Sequence, residues 1–95
     1  LRALRIKPDH VESNNYLGAI FLETGQTERA VKLLARAIET SPDCHEAYCN
    51  LGLAHKRLEE YEDAIECLEK ALDLCPNQIA AVKALDELNG NEATS

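Results

Sequence analysis

The residues of this sequence that could do chemistry are its four cysteines and three histidines. His45 and Cys49 are four positions apart, so on a helix they would share one face, as a metal-binding pair or a thiolate with its general base requires. Nothing completes such a site, because the sequence has no C-x-x-C pair and no glycine-rich phosphate loop. We therefore expect no catalytic residue, no cofactor and no bound metal, and the cysteines are predicted to be reduced thiols.

Charge and hydropathy exclude further classes of function. Ten basic against seventeen acidic side chains give the 95-residue chain a net charge of -7, which repels a phosphate backbone and argues against nucleic acid as a partner. The longest apolar runs, 19–22 and 79–82, are far shorter than the roughly 18 residues of a membrane-spanning helix. No basic-then-apolar leader opens the sequence. These features predict a cytoplasmic domain that does not insert into a membrane.

The elements that would position these residues follow from an internal repeat of 34 residues. Pro8, Pro42 and Pro76 are separated by that step, and each is followed by a residue that favours a helix start. Small and apolar residues recur in the same phase: Leu17, Leu51 and Leu85; Gly18 and Gly52; Ala30 and Ala64; Leu34 and Leu68; Ala3, Ala37 and Ala71. The repeat therefore predicts an array of similar units.

Within each unit the apolar residues recur every three or four positions, which is typical of helices. This spacing predicts helices over 10–23, 27–40, 44–58, 61–74 and 78–88. Gly25 lies in the first connection, where its freedom at positive φ suits a helix end, whereas Glu59 and Glu60 occupy the second. We expect one domain with five parts: the end of a preceding helix at 1–7, repeats at 11–44 and 45–78, a C-terminal capping helix at 79–89 and a mobile tail at 90–95.

The residues after the first two prolines have the spacing of a capping box. Asp9 precedes Glu12 by three positions, and Asp43 precedes Glu46 by the same step. The aspartate of each pair is predicted to cap a first helix. Glu46 would then serve the helix terminus and be unavailable for chemistry with His45 and Cys49.

The repeating unit resembles that of the tetratricopeptide repeat family, which follows W-x2-L-G-x2-Y, then A-x3-F, then P. The first unit has Asn14, Leu17, Gly18, Phe21, Ala30, Leu34 and Pro42 at these positions, and the second has Tyr48, Leu51, Gly52, His55, Ala64, Leu68 and Pro76. The resemblance covers residues 1 to about 89. It implies an all-α fold in which antiparallel helix-turn-helix repeats stack as a superhelix, or solenoid.

The resemblance also implies a function, because stacked hairpins leave a concave groove lined mostly by the first helix of each unit. We expect a protein–protein interaction scaffold that binds a peptide or protein segment in this groove. Some members of the family clamp the terminal carboxylate of heat-shock chaperones; only Asn50 matches that clamp, so we do not expect one here. The predicted groove residues are Glu12, Asn15, Tyr16, Ala19, Glu23, Glu46, Cys49, Asn50, Leu53, Lys56, Arg57 and Lys83.

Two alternatives stay open at this stage. The apolar residues Leu1, Leu4 and Ile6 could pair with a second copy, which would make the chain an oligomerisation or assembly element. Separately, the acidic run between 59 and 69 is interpreted as a solvated helix face, with a docking surface for a basic partner as the alternative.

Ala30 and Ala64, which occupy the same position in the two units, give a first prediction. Because Ala30 and Ala64 are expected where two helices meet, replacing either with Leu should lower the free energy of unfolding by about 1 to 3 kcal/mol through overpacking. Thermal melting measures the effect. An unchanged melting midpoint would contradict the placement of these alanines inside the hairpins.

Overall fold

A computed structural model describes the backbone of residues 11–94 and the side chains of residues 13–89. Five helices occupy this part of the chain, and it contains no β-strand. The helices are α1 (Val11–Glu23), α2 (Thr27–Thr40), α3 (His45–Arg57), α4 (Tyr61–Leu74) and α5 (Ile79–Thr94). The predicted all-α class is confirmed, and the predicted bounds of α2 and α4 agree with the structure to the residue.

The helices pack in chain order. α1 pairs with α2 and α3 with α4 as hairpins, α2 then packs on α3, and α4 packs on α5. α1 also contacts α3, and α3 contacts α5, so these three helices lie along one side of the molecule. This is the neighbour-to-neighbour stack of a helical repeat solenoid, as the period of the sequence predicts.

One glycine in each hairpin allows its two helices to pack closely. A Cβ atom added to Gly18 would lie 2.7 Å from Cγ of Leu34, and one added to Gly52 would lie 2.6 Å from Cγ of Leu68. Both distances are shorter than carbon atoms tolerate, so the two leucines occupy space that only glycine leaves empty. The leucines are fully buried as a result.

The core is divided along the stack. Each of two clusters draws its buried residues from three consecutive helices, α1 to α3 for one and α3 to α5 for the other. Leu53 of α3 packs against both clusters and so connects them. Ala30 and Ala64 have no exposed surface, in agreement with the hairpin contacts predicted for them. Every helix is thus stabilised by its neighbours in sequence.

The turn inside each hairpin has the same backbone conformation despite different residues. Gly25 has a φ of 86°, and Glu59, which stands 34 positions later, has a φ of 63°. In both turns an amide hydrogen bond returns to the preceding helix, from Gln26 to Phe21 at 2.7 Å and from Glu60 to His55 at 2.8 Å. The repeat geometry therefore holds a glutamate in the left-handed region that glycine adopts freely.

The predicted capping box at Asp43 is wrong. The residue that caps α3 is Cys44, and its side chain makes no capping hydrogen bond. Asp43 lies one residue outside the cap, and its Oδ1 accepts a hydrogen bond from Oγ of Ser41 at 2.7 Å. Glu46 instead accepts a long hydrogen bond from Asn15 on α1. The corresponding box of Asp9 and Glu12 lies outside the described side chains.

The predicted end of the last helix is also wrong. The sequence Asn89-Gly90 was expected to stop it and to begin a mobile tail at 90–95, but α5 continues to Thr94. Glycine costs about 1 kcal/mol in a helix and does not stop one by itself, and no proline follows Pro76 in the sequence. The segment 1–7, with its predicted helix end and pairing surface, lies outside the described residues.

The left-handed glutamate gives a prediction about stability. Releasing the steric cost of a positive φ at Glu59 outweighs the added flexibility of the unfolded chain, so Glu59→Gly should raise the free energy of unfolding by about 0.5 to 1 kcal/mol. Urea denaturation measures the change. The matched variant is Gly25→Ala, whose new Cβ meets no atom within 4 Å. It should lower stability by about 1 kcal/mol. A less stable Glu59→Gly protein would contradict this account.

Candidate partner-binding groove

The first helices of the units enclose a groove made of two adjoining cavities. One has a volume of about 680 Å³ and is lined by residues of α1, α3 and the start of α5. The other has a volume of about 450 Å³ and lies between α1 and α3. Ala19 and Asn50 line both cavities, so the groove is continuous across the concave side.

Ten of the twelve predicted groove residues line these cavities. They are Asn15, Tyr16, Ala19, Glu23, Glu46, Cys49, Asn50, Leu53, Lys56 and Arg57. Lys83 stands 34 positions after Cys49, which lies at the floor of the groove. On α5, however, this position is exposed to solvent, and Lys83 lines neither cavity. Glu12 lies in α1, but its side chain is outside the described residues.

The structure adds four lining residues that the sequence reasoning missed: Ser13, Leu22, Gln78 and Ala80. The repeat could have revealed Ala80, since it stands 34 positions after the predicted groove residue Glu46. Gln78 comes just before α5, where its Nε2 lies 2.8 Å from Nδ1 of His45. The imidazole of His45 is therefore bonded to an amide.

A chain of side-chain amides crosses the larger cavity. Nδ2 of Asn50 donates to Oδ1 of Asn15 at 2.9 Å, and Nδ2 of Asn15 donates to Oε1 of Glu46 at 3.5 Å. These bonds join α3 to α1 and fix the orientation of both amides. The carbonyl oxygen of Asn50 and further N–H groups of the pair keep hydrogen-bonding capacity. Beside them the ring of Tyr16 is 68% exposed, so the cavity combines an aromatic surface with polar groups.

Cys49 forms the floor of the larger cavity, and its chemistry is suppressed. It is only 3% exposed and belongs to the core cluster of α3 to α5. Burial raises the pKa of its thiol to about 11, and the charge of Glu46 contributes to the same shift. At neutral pH the sulfur is therefore a protonated thiol, which is a weak nucleophile and a poor metal ligand. Cys49 contributes packing to the groove.

The two predicted cations that line the groove, Lys56 and Arg57, both contact groups of the protein itself. Nζ of Lys56 forms an ion pair with Oε1 of Glu87 on α5. Nη1 of Arg57 donates to the backbone oxygen of Leu22 near the end of α1, at 2.7 Å. The hydrogen bond and charge of Lys56 lower the pKa of the Glu87 carboxyl. The smaller cavity thus uses its positive charges to join neighbouring helices.

Comparison with known proteins agrees with this architecture. Protein-family models described as tetratricopeptide repeat match residues 45–78 and 1–32, and a family model described as TPR repeat matches residues 18–59. The chain belongs to the tetratricopeptide repeat family. Proteins of this family bind other proteins, which makes protein–protein interaction the general function of this chain.

Individual relatives support the same assignment. The peroxisomal targeting signal receptor of Candida albicans is 32% identical over 93 residues, which is 98% of this chain and 15% of the receptor. The crystal structure of MamA has a TM-score of 0.83 at 25% identity and covers 92% of this chain and 51% of MamA. YrrB, a TPR protein whose structure is described as having an unusual peptide-binding site, has a TM-score of 0.77 at 27% identity and covers 82% of this chain and 40% of YrrB.

The similarity reaches only part of each relative. This chain spans 9% and 15% of the first two curated relatives that it matches. The similarity to these longer proteins is therefore a similarity of the repeat segment. None of the described helices has the length and apolar character needed to cross a bilayer.

The ion pair between Lys56 and Glu87 predicts that the stability of the fold depends on pH. Because the hydrogen bond and charge of Lys56 lower the pKa of Glu87 in the folded state, Lys56→Ala should raise that pKa towards the usual range of a glutamate carboxyl. Stability from the pair is present above the unfolded pKa and is lost as pH falls through the folded one. The stability difference between wild type and variant should therefore shrink as pH falls below the usual pKa range of a glutamate carboxyl.

Carboxyl carbon NMR measures the pKa of Glu87, and urea denaturation at several pH values measures the stability difference. Lys70→Ala is a suitable control, since Lys70 is exposed on α4 and should leave Glu87 unchanged. An equal pKa of Glu87 in wild type and Lys56→Ala would show that the ion pair does not form in solution.

Proposed function

We propose that this chain binds an extended segment of another protein in the groove lined by α1, α3 and α5. The observation that carries the proposal is the continuous concave surface, in which the exposed ring of Tyr16 stands next to the oriented amides of Asn15 and Asn50. An extended peptide needs both kinds of contact, because its backbone requires hydrogen bonds and its side chains require apolar surface.

The charges of the groove favour a neutral or basic segment. Glu23 and Glu46 line the groove, while the positive charges of Lys56 and Arg57 are engaged by Glu87 and by the Leu22 carbonyl. A segment that ends in a carboxylate would need converging cations that are free to pair with it. The net charge of -7 on the chain adds attraction for a basic guest at long range.

Two relatives point in the same direction. The Candida albicans protein is named a receptor for a targeting signal, and the structure of YrrB is described by its peptide-binding site. The receptor matches 98% of this chain in sequence, and YrrB matches 82% of it in structure. Recognition of a short segment in the concave groove is consistent with those names, and the identity of the guest is expected to differ with the lining residues.

The remaining parts of the proposal follow from composition. We propose that the chain binds no nucleic acid, because its acidic balance would repel the phosphates, and that it acts in the cytoplasm. The absence of catalysis stays a prediction. Pairing with a second copy through residues 1–7 also stays a prediction, since that segment lies outside the described residues.

Selection from a random peptide display library tests the proposal. Peptides that bind the chain should be neutral or positively charged, and Tyr16→Ala should weaken them about fivefold or more, as truncation of an exposed aromatic contact does. The matched control is Tyr61→Ala: Tyr61 is also an exposed tyrosine, but it begins α4 and lies outside the groove. Leu53 is a poorer choice, since it packs against both core clusters.

Two results would overturn the proposal. One is enrichment of acidic peptides with a free carboxylate, which would show that Lys56 or Arg57 is released on binding. Another is equal affinity of the selected peptides for Tyr16→Ala and wild type, which would place the binding surface elsewhere. Circular dichroism of each variant, compared with wild type, distinguishes lost contact from lost fold.

A further inference from the structure

Three metal-ligating side chains meet at the corner where α3 turns into α4, away from the groove. His55 lies in the last turn of α3, Glu60 caps α4, and Asp63 is in the first turn of α4. One ligand atom from each lies within 4.8 Å of the others, and Nδ1 of His55 is 2.7 Å from Oε1 of Glu60. Among the described residues, this group brings three potential metal ligands together.

The first unit provides an internal comparison for this corner. The residues 34 positions earlier are Phe21, Gln26 and Arg29. The guanidinium carbon of Arg29 lies 5.7 Å from the centroid of the Phe21 ring, and its Nη1 donates to Oε1 of Gln26 at 3.1 Å. The corner between α1 and α2 is therefore closed by a cation that belongs to the protein.

At the second corner, the cation and both of its partners are replaced. The aromatic ring becomes an imidazole, the amide becomes a carboxylate, and the guanidinium becomes the carboxylate of Asp63. Within the described part of the chain no lysine or arginine pairs with Glu60 or Asp63. The three backbone positions that bring a positive group to the corner of the first unit thus bring two negative groups and a nitrogen ligand to the corner of the second.

The backbone keeps two of the three ligands in place. The amide of Glu60 donates to the carbonyl of His55, and the left-handed φ of Glu59 makes this return of the chain possible. The imidazole is mostly buried, with 17% of its side chain exposed, whereas the carboxylate of Glu60 reaches solvent. Proximity to the start of α4 favours both acids, Glu60 at the N-cap and Asp63 in the first turn, but it does not account for the imidazole nitrogen that lies 2.7 Å from Glu60.

We propose that His55, Glu60 and Asp63 bind a divalent transition-metal ion, with Zn²⁺ as the best match. One imidazole nitrogen and two carboxylate oxygens are ligands that Zn²⁺ accepts in tetrahedral geometry, with water in the fourth position. Mg²⁺ and Ca²⁺ favour sites built from oxygen ligands alone. The ion would link the end of α3 to the start of α4, as Arg29 links α1 and α2 through its contacts.

Titration of the full chain with Zn²⁺ alone, followed by calorimetry, tests the site. One ion should bind per chain, and the melting midpoint should rise by several degrees at a Zn²⁺ concentration about tenfold above the Kd. Asp63→Asn preserves shape and removes one charged ligand, so it should weaken binding at least tenfold. His55→Phe introduces the residue that the first unit has at this position and, because it removes the only nitrogen ligand of the group, should weaken binding at least as much.

The four cysteines are the competing ligands, and two observations separate them from the corner. Co²⁺ bound to a thiolate gives a charge-transfer absorption that Co²⁺ bound to imidazole and carboxylate lacks. The triple variant His55→Phe, Glu60→Gln, Asp63→Arg copies the first corner into the second and leaves every cysteine in place. Unchanged Zn²⁺ affinity in Asp63→Asn or the triple variant, or a thiolate absorption with Co²⁺, would overturn the proposal. Loss of binding with the fold retained would support it.

Discussion

The stack depends on the empty space beside Gly18 and Gly52, into which Leu34 and Leu68 insert. Any Cβ atom at either position would lie less than 3 Å from a leucine carbon, so the distance between the two helices of a hairpin is set by these contacts. Close hairpins allow the next helix to pack in turn, which keeps α1, α3 and α5 on one side. The groove is a consequence of this packing, and opening either hairpin would change its shape.

The positively charged residues of the groove form contacts between the helices of the stack. Arg57 joins the end of α3 to the end of α1, and Lys56 joins α3 to Glu87 on α5. Each bond bridges two successive first helices, so the positive charge that a carboxylate guest would require is used to hold the concave surface together. The same repeat fold can in this way present grooves of opposite preference, since a few side chains decide which charges remain free.

The two units share a backbone more closely than they share side chains. Glu59 is held at a positive φ because its unit is packed like the one before it, in which glycine fills that position. At the corner between the two helices of a unit, by contrast, the side chains differ. Phe21, Gln26 and Arg29 form one kind of contact in the first unit, and His55, Glu60 and Asp63 form another at the same backbone positions of the second. Repetition therefore fixes the frame, and the exposed corners of each unit can acquire separate chemistry.

The sequence by itself determined the helical class, the period, the bounds of α2 and α4 and the register of the groove, because a repeat fold is stabilised by contacts between neighbouring segments. Only the tertiary structure decided which polar groups meet. Asn50 bonds to Asn15, Arg57 to the Leu22 carbonyl and Lys56 to Glu87, all across 31 to 35 residues, where the packing of separate units selects the partner. It also decided that α5 continues through Gly90, since the cost of one glycine in a helix is too small for sequence to fix an end.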